Sequence, residues 1–250
     1  MKQKIWIVSF SPTGNTLKTL KAMAEELGGA DGIIDLTVPG HAAPRAFDRE
    51  DLVLLGAPVY GGRIPALARK RFLNIRGNQT PCLVAVSYGN RDFDDALLEL
   101  SDLAAQNGFL VKGAAAVVGR HTYGEIQVTR PDEADLAEDR AFARKAAARP
   151  EHAPAPVIPG NRPYKDGGKG GNFRPLTSDA CVRCGLCVRQ CPANAIAEDC
   201  RTIAGSCISC FRCIRSCPAG AKNMNVKEYL DFAAAFTEKL AARRENQYFL

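Results

Sequence analysis

Short apolar runs alternate with amphipathic segments along residues 1–150 of the chain. Five apolar runs have the length and composition of buried β-strands, and four segments carry apolar residues at the spacing of one helix face. The runs are KIWIVSF, GIIDLT, LVLLGAPVY, PCLVAVSYG and LVKGAAAVVG, and the helical segments are NTLKTLKAMAEEL, ALARKRFLNI, DDALLELSDLAAQ and DEADLAEDRAFARKAAA. This alternation predicts an α/β fold with a five-stranded parallel sheet covered by helices on both faces.

The pattern changes after residue 150. Residues 151–178 are dense in proline and glycine, which continue neither a helix nor a central strand, so we expect a linker. Its GGKGG segment resembles a phosphate loop only superficially, because no Ser or Thr follows the lysine, and a flexible connection is favoured. Residues 226–250 are expected to form a closing helix and tail packed on the preceding domain. The helical apolar positions are Val226, Tyr229, Leu230, Ala233, Phe236 and Leu240.

Composition indicates a globular chain of two domains rather than a membrane or secreted protein. The chain has 250 residues, with 46% hydrophobic and 24% charged, and it holds no run of eighteen apolar residues. The opening MKQKIWIVSF breaks at SPTGN without a signal-peptide core, so we expect a soluble, cytoplasmic protein with no membrane span. A net charge of +6 without basic and aromatic interleaving argues against nucleic-acid binding.

The cysteines are concentrated in one region: nine of the ten lie within residues 181–217, and eight of these belong to two repeated frames. CVRCGLCVRQCP, at 181–192, and CISCFRCIRSCP, at 207–218, repeat one C-x2-C-x2-C-x3-C-P frame at an offset of 26 residues. Disulfides suit secreted chains, and zinc sites pair two short doublets across a longer loop. Runs of four ending in proline therefore favour iron-sulfur clusters. Outside the frames, Cys200 is expected to be a spare surface thiol and Cys82 a core residue.

A cubane cluster needs four converging thiolates, and a C-x2-C-x2-C loop supplies three of them. The repeat suggests two pseudo-symmetric halves that exchange their fourth ligands. Residues 179–225 resemble the bacterial two-cluster ferredoxin module, a small α+β domain. That resemblance implies two [4Fe-4S] clusters, one on Cys181, Cys184, Cys187 and Cys217 and the other on Cys207, Cys210, Cys213 and Cys191.

The same region is basic, with six Lys or Arg against three Asp or Glu in residues 179–225. Positive charge near a cluster favours its reduced form and attracts an acidic electron partner. We therefore expect a redox protein as partner, either ferredoxin-like or an oxidoreductase. The arginines in the cysteine loops are Arg183, Arg189, Arg212 and Arg215.

Three strand ends in the first 150 residues carry polar or glycine-rich loops. SPTGNT, at 11–16, offers hydroxyls, an Asn side chain and helix-start amides that suit a phosphate monoester, although an ordinary capped strand-to-helix turn is the alternative. The loops APVYGGRIP and SYGNRDFDD follow the third and fourth strands. Since ligands bind beyond the carboxyl ends of strands in open α/β sheets, we expect the three loops to meet. Glycines there allow close approach, and two tyrosines offer flat faces or ordinary packing.

With these loops, residues 1–150 resemble the short-chain flavodoxin family, with a doubly wound flavodoxin-like sheet, and the resemblance implies bound FMN. The implied FMN site comprises Ser11, Thr13, Gly14, Asn15, Thr16, Val59, Tyr60, Gly61, Gly62, Ser87, Tyr88, Gly89 and Asn90. AAAVVGRHTYGE also resembles a segment after the fifth strand in this group, which places His121 near the ring or the domain contact, with a surface histidine as the alternative. The whole chain resembles the flavodoxin-ferredoxin fusion proteins of anaerobic bacteria and archaea.

Three functions are compatible with this organisation. The leading hypothesis is an intracellular electron-transfer flavoprotein that passes electrons between FMN, two [4Fe-4S] clusters and an external redox partner. The second is an FMN-dependent reductase of a quinone, a nitro compound or dioxygen, fed through its clusters. The third makes the cysteine module a structural or regulatory appendage. The sequence contains no constellation of nucleophile, base and acid, which favours a carrier.

Overall fold

A computed structural model describes residues 3–40, 45–150, 152–167 and 173–250. Its strands are β1 (Ile5–Ser9), β2 (Gly32–Asp35), β3 (Arg45–Phe47), β4 (Leu52–Pro58), β5 (Ile75–Gly77), β6 (Thr80–Tyr88), β7 (Phe109–Val118), β8 (Leu176–Thr177), β9 (Lys222–Asn223) and β10 (Gln247–Phe249). Its helices are α1 (Asn15–Glu26), α2 (Ala66–Phe72), α3 (Ala96–Gln106), α4 (Glu133–Ala147), α5 (Leu186–Arg189), α6 (Arg212–Arg215) and α7 (Lys227–Lys239). Four of the five residues of GGKGG, 168–171, lie outside the described residues.

The five predicted strands form one parallel sheet in the order β2-β1-β4-β6-β7. Counted among themselves they run 2-1-3-4-5, which is the flavodoxin-like doubly wound order. Helices α1 and α4 cover one face and α2 and α3 the other, since their buried residues belong to two separate apolar clusters. The predicted α/β fold class is confirmed.

Local sequence explains how the helices meet this sheet. The central strands β4 and β6 are almost wholly buried, as parallel strands covered on both faces must be. At Gly56 in β4 an added Cβ would lie 2.7 Å from the side chains of Leu20 and Thr16, so glycine allows α1 to approach the sheet closely. At the start of α4, the Asp132 carboxylate accepts from the Asp135 amide at 3.1 Å, and the Asp132 amide donates to the Asp135 carboxylate at 2.9 Å.

A sixth strand, not predicted from the sequence, comes from the end of the chain. β10 pairs antiparallel with β7 at the sheet edge. The Tyr248 hydroxyl donates to Asp139 at 2.9 Å, and Asn246 accepts from the Val118 amide at 2.8 Å. The tail therefore completes the N-terminal sheet. A three-residue strand contains too few positions to show a period of two, which is why the hydrophobic pattern did not predict it.

The cysteine-rich region is a small α+β unit, as expected. It consists of the antiparallel pair β8–β9 and the two four-residue helices α5 and α6. The described part of the segment before it lies along α3, where Asp95 accepts from the amides of Asn161 and Lys165 at 2.8 and 2.7 Å. In the part of the chain that the structure describes, no helix combines the length and apolarity needed to cross a membrane.

Candidate cofactor sites

A cavity of about 270 Å³ opens at the carboxyl ends of β1, β4 and β6. This is the position at which open α/β sheets bind ligands. The three predicted loops meet there and supply most of the wall. The predicted residues that line the cavity are Ser11, Thr13, Asn15, Thr16, Val59, Tyr60, Gly61, Ser87, Tyr88 and Gly89, whereas Gly14, Gly62 and Asn90 do not.

Two of the residues outside the wall have structural roles. An added Cβ on Gly62, whose φ is +85°, would lie 2.4 Å from Oδ2 of Asp94, so the site requires glycine for packing. Asn90 is buried and donates from Nδ2 to the carbonyl oxygens of Leu240 and Ala242, at 2.8 and 2.7 Å. The sequence predicts that Asn90 faces the cofactor. Its side chain instead holds the C-terminal segment against the sheet domain.

The loop at 11–14 wraps around the start of α1. Gly14 precedes the helix with φ +90°, a conformation that glycine adopts without steric cost. The Ser11 hydroxyl accepts from the Leu17 amide at 3.1 Å and keeps its own hydrogen for a further acceptor. Because the first amides of a helix lack partners within it, this end of α1 presents donors and a positive dipole end suited to phosphate.

Two of the predicted phosphate contacts are already engaged within the protein. The hydroxyls of Thr16 and Ser87 share a hydrogen bond of 2.6 Å, which joins the loops after β1 and β6. Asn15 donates from Nδ2 to the carbonyl oxygen of Arg120 at 2.8 Å. Backbone amides, with the Ser11 and Thr13 hydroxyls, are therefore the main donors left for a phosphate, and Asn15 and Thr16 chiefly hold the loops in place.

The two predicted ring-loop tyrosines differ in their surroundings. Tyr60 is half-buried at the cavity, and burial raises its pKa well above the ordinary value, so it stays a neutral phenol. Tyr88 packs its ring edge-on against Phe93 in the core, with ring centroids 5.7 Å apart and only 3% of its surface exposed. Tyr60 is thus the tyrosine of the pair that is free to present a face to a bound ring.

A fourth loop, 120–123 after β7, closes the cavity. Sequence reasoning identified only His121 from it and missed Arg120, Thr122 and Tyr123. An added Cβ on Gly89 would lie 2.0 Å from the His121 ring, so glycine allows these loops to touch. Burial lowers the pKa of His121 to about 4, and its Nδ1 accepts from the Tyr123 amide at 2.8 Å. His121 is therefore neutral at physiological pH, and its Nδ1 also lies 3.0 Å from the carbonyl oxygen of Tyr123.

The first cysteine set lies near the surface of the small domain. Cys181, Cys184, Cys187 and Cys217 line one small cavity, and Cys184 is exposed. Cys200 lines the same cavity and is 1% exposed. The expectation that Cys200 is a surface thiol is wrong, because Cys200 lines this cavity with Lys222 of β9, and Thr177 of β8 donates to its carbonyl oxygen at 3.0 Å. Cys82 lies in β6 within the core.

The second cysteine set faces the sheet domain. Cys191, Cys207, Cys210 and Cys213 line another small cavity, which brings one cysteine of the first frame to three of the second. The structure therefore places the eight frame cysteines in the two crossed groups that the ferredoxin resemblance implies. Cys210 is the most enclosed of this set, at 8% exposed.

The chemistry of both sets suits thiolate ligation of a cluster. Amides of Ala195 and Ala221 donate to the sulfurs of Cys191 and Cys217, both at 3.3 Å, which favours the thiolate form. Burial raises the pKa of Cys213 to about 12, so its thiol keeps its proton at neutral pH until a metal replaces it. Within the described ranges, no group of three or more His, Cys, Asp or Glu residues is arranged to hold a single metal ion.

The sheet cavity and the second cysteine set share one loop. Ile208, which lies between Cys207 and Cys210, lines both cavities, and Ser209 lines the sheet cavity. Arg212 donates to the carbonyl oxygen of Pro12 at 2.9 Å, and Arg215 to that of His121 at 2.8 Å. Two of the four loop arginines that we expected to attract a partner therefore bind the sheet domain instead.

Comparison with protein families supports the assignment of the C-terminal region. Residues 176–197 and 204–220 each match a family model described as a 4Fe-4S binding domain. Comparison with curated proteins found no match. The chain therefore carries two 4Fe-4S binding segments, and these span the eight frame cysteines.

Solved structures align with the N-terminal part. A flavodoxin from the domain Archaea is 14% identical, with 58% of this chain and 96% of that chain covered and a TM-score of 0.42. Flavodoxin 2 from Bacillus cereus is 18% identical, with 58% of this chain and 97% of that chain covered and a TM-score of 0.43. Rubredoxin oxygen:oxidoreductase from Desulfovibrio gigas is 15% identical, with 58% of this chain and 36% of that chain covered and a TM-score of 0.42. The strand order of this chain itself defines its flavodoxin-like fold. The chain thus combines a flavodoxin-like domain with a ferredoxin-like 4Fe-4S region, the organisation of a flavodoxin-ferredoxin fusion.

Proposed function

We propose that this chain is an electron-transfer flavoprotein that moves electrons between FMN in the sheet cavity, two [4Fe-4S] clusters and an external redox protein. FMN exchanges one or two electrons and a cluster exchanges one, so the combination connects single-electron and pair transfer. Residues 1–150, with Ile208 and Ser209, supply the flavin site. The small domain supplies the clusters; it begins with β8 (Leu176–Thr177), inside the predicted linker of 151–178, so the connection ends before that strand. Because so many cysteines must stay reduced, the cytoplasm of an anaerobic organism is the favoured location of the protein.

The observation that carries this proposal is the loop that the two cavities share. Ile208 belongs to the wall of the sheet cavity and to that of the second cysteine set. A ligand in the sheet cavity and a cluster on Cys191, Cys207, Cys210 and Cys213 would therefore lie on either side of one short loop. This arrangement favours direct exchange between them and makes the second set the inner cluster.

Individual residues bind, orient and shield the flavin in this proposal. Amides at the start of α1, with the hydroxyls of Ser11 and Thr13, hold the phosphate. Tyr60 stacks on the ring, while Tyr123 covers the side facing the small domain. The neutral His121 lies in the cavity wall and can form a hydrogen bond with the ring without adding charge.

The first set is the outer cluster and the port for the partner. Cys184 is exposed, and beside it Val182 is 70% exposed, with Arg183 and Arg189 also at the surface. A surface with an exposed apolar residue between two arginines suits the binding of an acidic redox protein. With Arg212 and Arg215 engaged elsewhere, the attraction rests on fewer charges than the sequence predicts.

Anaerobic purification followed by optical spectra, cofactor extraction and iron analysis tests the proposal. We expect one FMN and about eight iron atoms per chain, with the broad visible absorption of [4Fe-4S] clusters beneath the flavin bands. Zinc in place of iron, or the absence of flavin, contradicts it. Rapid steady-state turnover with quinones, nitro compounds or dioxygen would instead support the reductase.

A further inference from the structure

Lys222 is a buried lysine beside the first cysteine set. It is 3% exposed and lines the same cavity as Cys181, Cys184, Cys187 and Cys217. Its Nζ is buried and has no hydrogen-bond partner among the residues that the structure describes. A buried ammonium without a partner is costly, so the native protein must place negative charge close to it.

Asp199 is a carboxylate that interacts electrostatically with Lys222, but it lies at the protein surface. Its carboxylate accepts hydrogen bonds from the Thr202 hydroxyl at 2.6 Å and from the amides of Arg201 and Thr202, and solvent screens its charge, so it offsets the buried ammonium only in part. The cysteine sulfurs of the first set are the acidic groups that line the same cavity as Lys222. Thiolates that hold a cluster would give Lys222 its counter-charge.

The repeated frame contains a natural comparison for this lysine. At the offset of 26 residues, Lys222 corresponds to Ile196, since CPAGAK at 217–222 repeats CPANAI at 191–196. Ile196 is also buried, at 6% exposed, and lines the cavity of the second set. The neighbouring amides donate to the sulfurs of Cys217 and Cys191 at the same 3.3 Å. The two positions therefore share their burial and local geometry and differ in charge.

Resting on the cluster assignment proposed above, we propose that Lys222 is a buried cation that raises the reduction potential of the cluster on Cys181, Cys184, Cys187 and Cys217. That cluster with its thiolates is anionic, and reduction adds one further negative charge, so a nearby ammonium stabilises the reduced form more. The outer cluster thereby holds an incoming electron more firmly than it would with an apolar residue at 222.

The second set has a cation of its own that must be weighed against this. Arg212 lines its cavity at the position that corresponds to Leu186 of the first set. Arg212 is half-buried, and its guanidinium donates to Pro12. Its charge is therefore more screened than that of Lys222, which is fully enclosed. Removing the charge of Lys222 changes the midpoint potential of the first cluster whether or not Arg212 is present.

Lys222→Met in the full-length, cluster-loaded protein tests the proposal, because methionine keeps the length and removes the charge. In an EPR-monitored redox titration, the ratio of reduced to oxidised form of one cluster should fall at least tenfold at a fixed potential. This corresponds to a decrease of 59 mV or more in the midpoint potential of that cluster. Ile196→Met is the matched control. For both clusters, the ratio of reduced to oxidised form at the same potential should change less than threefold in this variant. A Cys191→Ser background, in which the outer cluster is the one retained, should show the same downward shift.

Lys222→Gln provides a second neutral variant in case methionine disturbs folding, and Lys222→Arg should keep the wild-type midpoint. Unchanged or raised midpoints in the neutral variants, with both clusters present, would overturn the role of Lys222 alone. Iron analysis and optical spectra of the wild-type protein come first. If they show no [4Fe-4S] clusters, the proposed function and this inference fall together.

Discussion

The two cysteine sets are built on one repeated frame, yet they face different surroundings. The first reaches the surface at the exposed Cys184, whereas the second is enclosed against the sheet domain at Cys210. Their backbones correspond: Gly185 and Phe211, one repeat apart, both have positive φ, at 72° and 56°. The frame therefore determines which cysteines meet, and the residues between them determine which way each set faces.

Phe211 illustrates how the second half is adapted. A phenylalanine in the left-handed region is strained relative to glycine by about 1 kcal/mol. Its ring packs on those of Tyr123 and Tyr229, at centroid distances of 5.1 and 5.6 Å. The apolar contact between the domains offsets the local strain, and Phe211 joins Ile208, Arg212 and Arg215 in making the second loop a domain contact.

The largest expected effect is on cluster content, which tests whether the sets are crossed. Cys191→Ser should remove the cluster on Cys207, Cys210 and Cys213, although it lies in the other frame. Iron should fall from about eight to about four atoms per chain, since each cubane holds four. Site-resolved spectroscopy that shows loss of only the cluster on the first frame would contradict the exchange.

Cys200→Ala is the matched control for that experiment. Cys200 lines the first cavity but is not one of the four residues assigned to it. We expect both clusters to be retained. Loss of the first cluster in this variant would make Cys200 a ligand and require a revised assignment.

Phe211→Gly should loosen the second set from the sheet domain. Loss of the buried ring destabilises the domain contact by about 3–5 kcal/mol, and relief of backbone strain restores about 1 kcal/mol. The net destabilisation is therefore about 2–4 kcal/mol. Hydrogen exchange of the amides in 121–124 should accelerate accordingly. Gly185→Ala, the counterpart, should leave that exchange unchanged, and acceleration by both variants would mean that the two sets do not differ in this way.

Metal removal should distinguish the sets by exposure. A chelator or dioxygen should attack the first cluster roughly tenfold faster than the second, because access to the enclosed set requires local opening. The measurement is the loss of each cluster's EPR signal with time. A single rate for both would count against an outer and an inner cluster.

The smallest effect concerns the partner. Arg189 is exposed and donates to the carbonyl oxygen of Cys184 at 3.1 Å, while Arg215 binds His121. Arg189→Gln should slow bimolecular reduction by an acidic donor a few-fold at low salt, with less effect for Arg215→Gln. Rates that stay flat up to about 0.5 M salt, where screening is nearly complete, would remove the electrostatic attraction.

The sequence predicts much of this molecule where the signal is local. Helix α1 and the five parallel strands follow from periodicity, and the cysteine frames from spacing. The rest depends on contacts between distant segments. Loop 120–123 joins the cavity wall because of strand order, and Asn90 turns away from the cavity because a tail 150 residues later supplies acceptors. Lys222 has the chemistry of a surface residue, and only the fold shows that it is buried.

The central claim is that electrons pass between the sheet cavity and the second cysteine set. It is tested most directly by rapid mixing of the anaerobic, fully loaded protein with a reduced low-potential ferredoxin, followed at the FMN absorbance. Cys191→Ser is compared with wild type at matched donor concentration and equal FMN content, with Cys200→Ala as control. We predict that flavin reduction slows at least tenfold in Cys191→Ser and stays at the wild-type rate in Cys200→Ala, because a shared loop keeps the inner cluster at a high effective concentration. Equal rates in all three proteins would show that electrons reach the flavin without that cluster and would contradict the account.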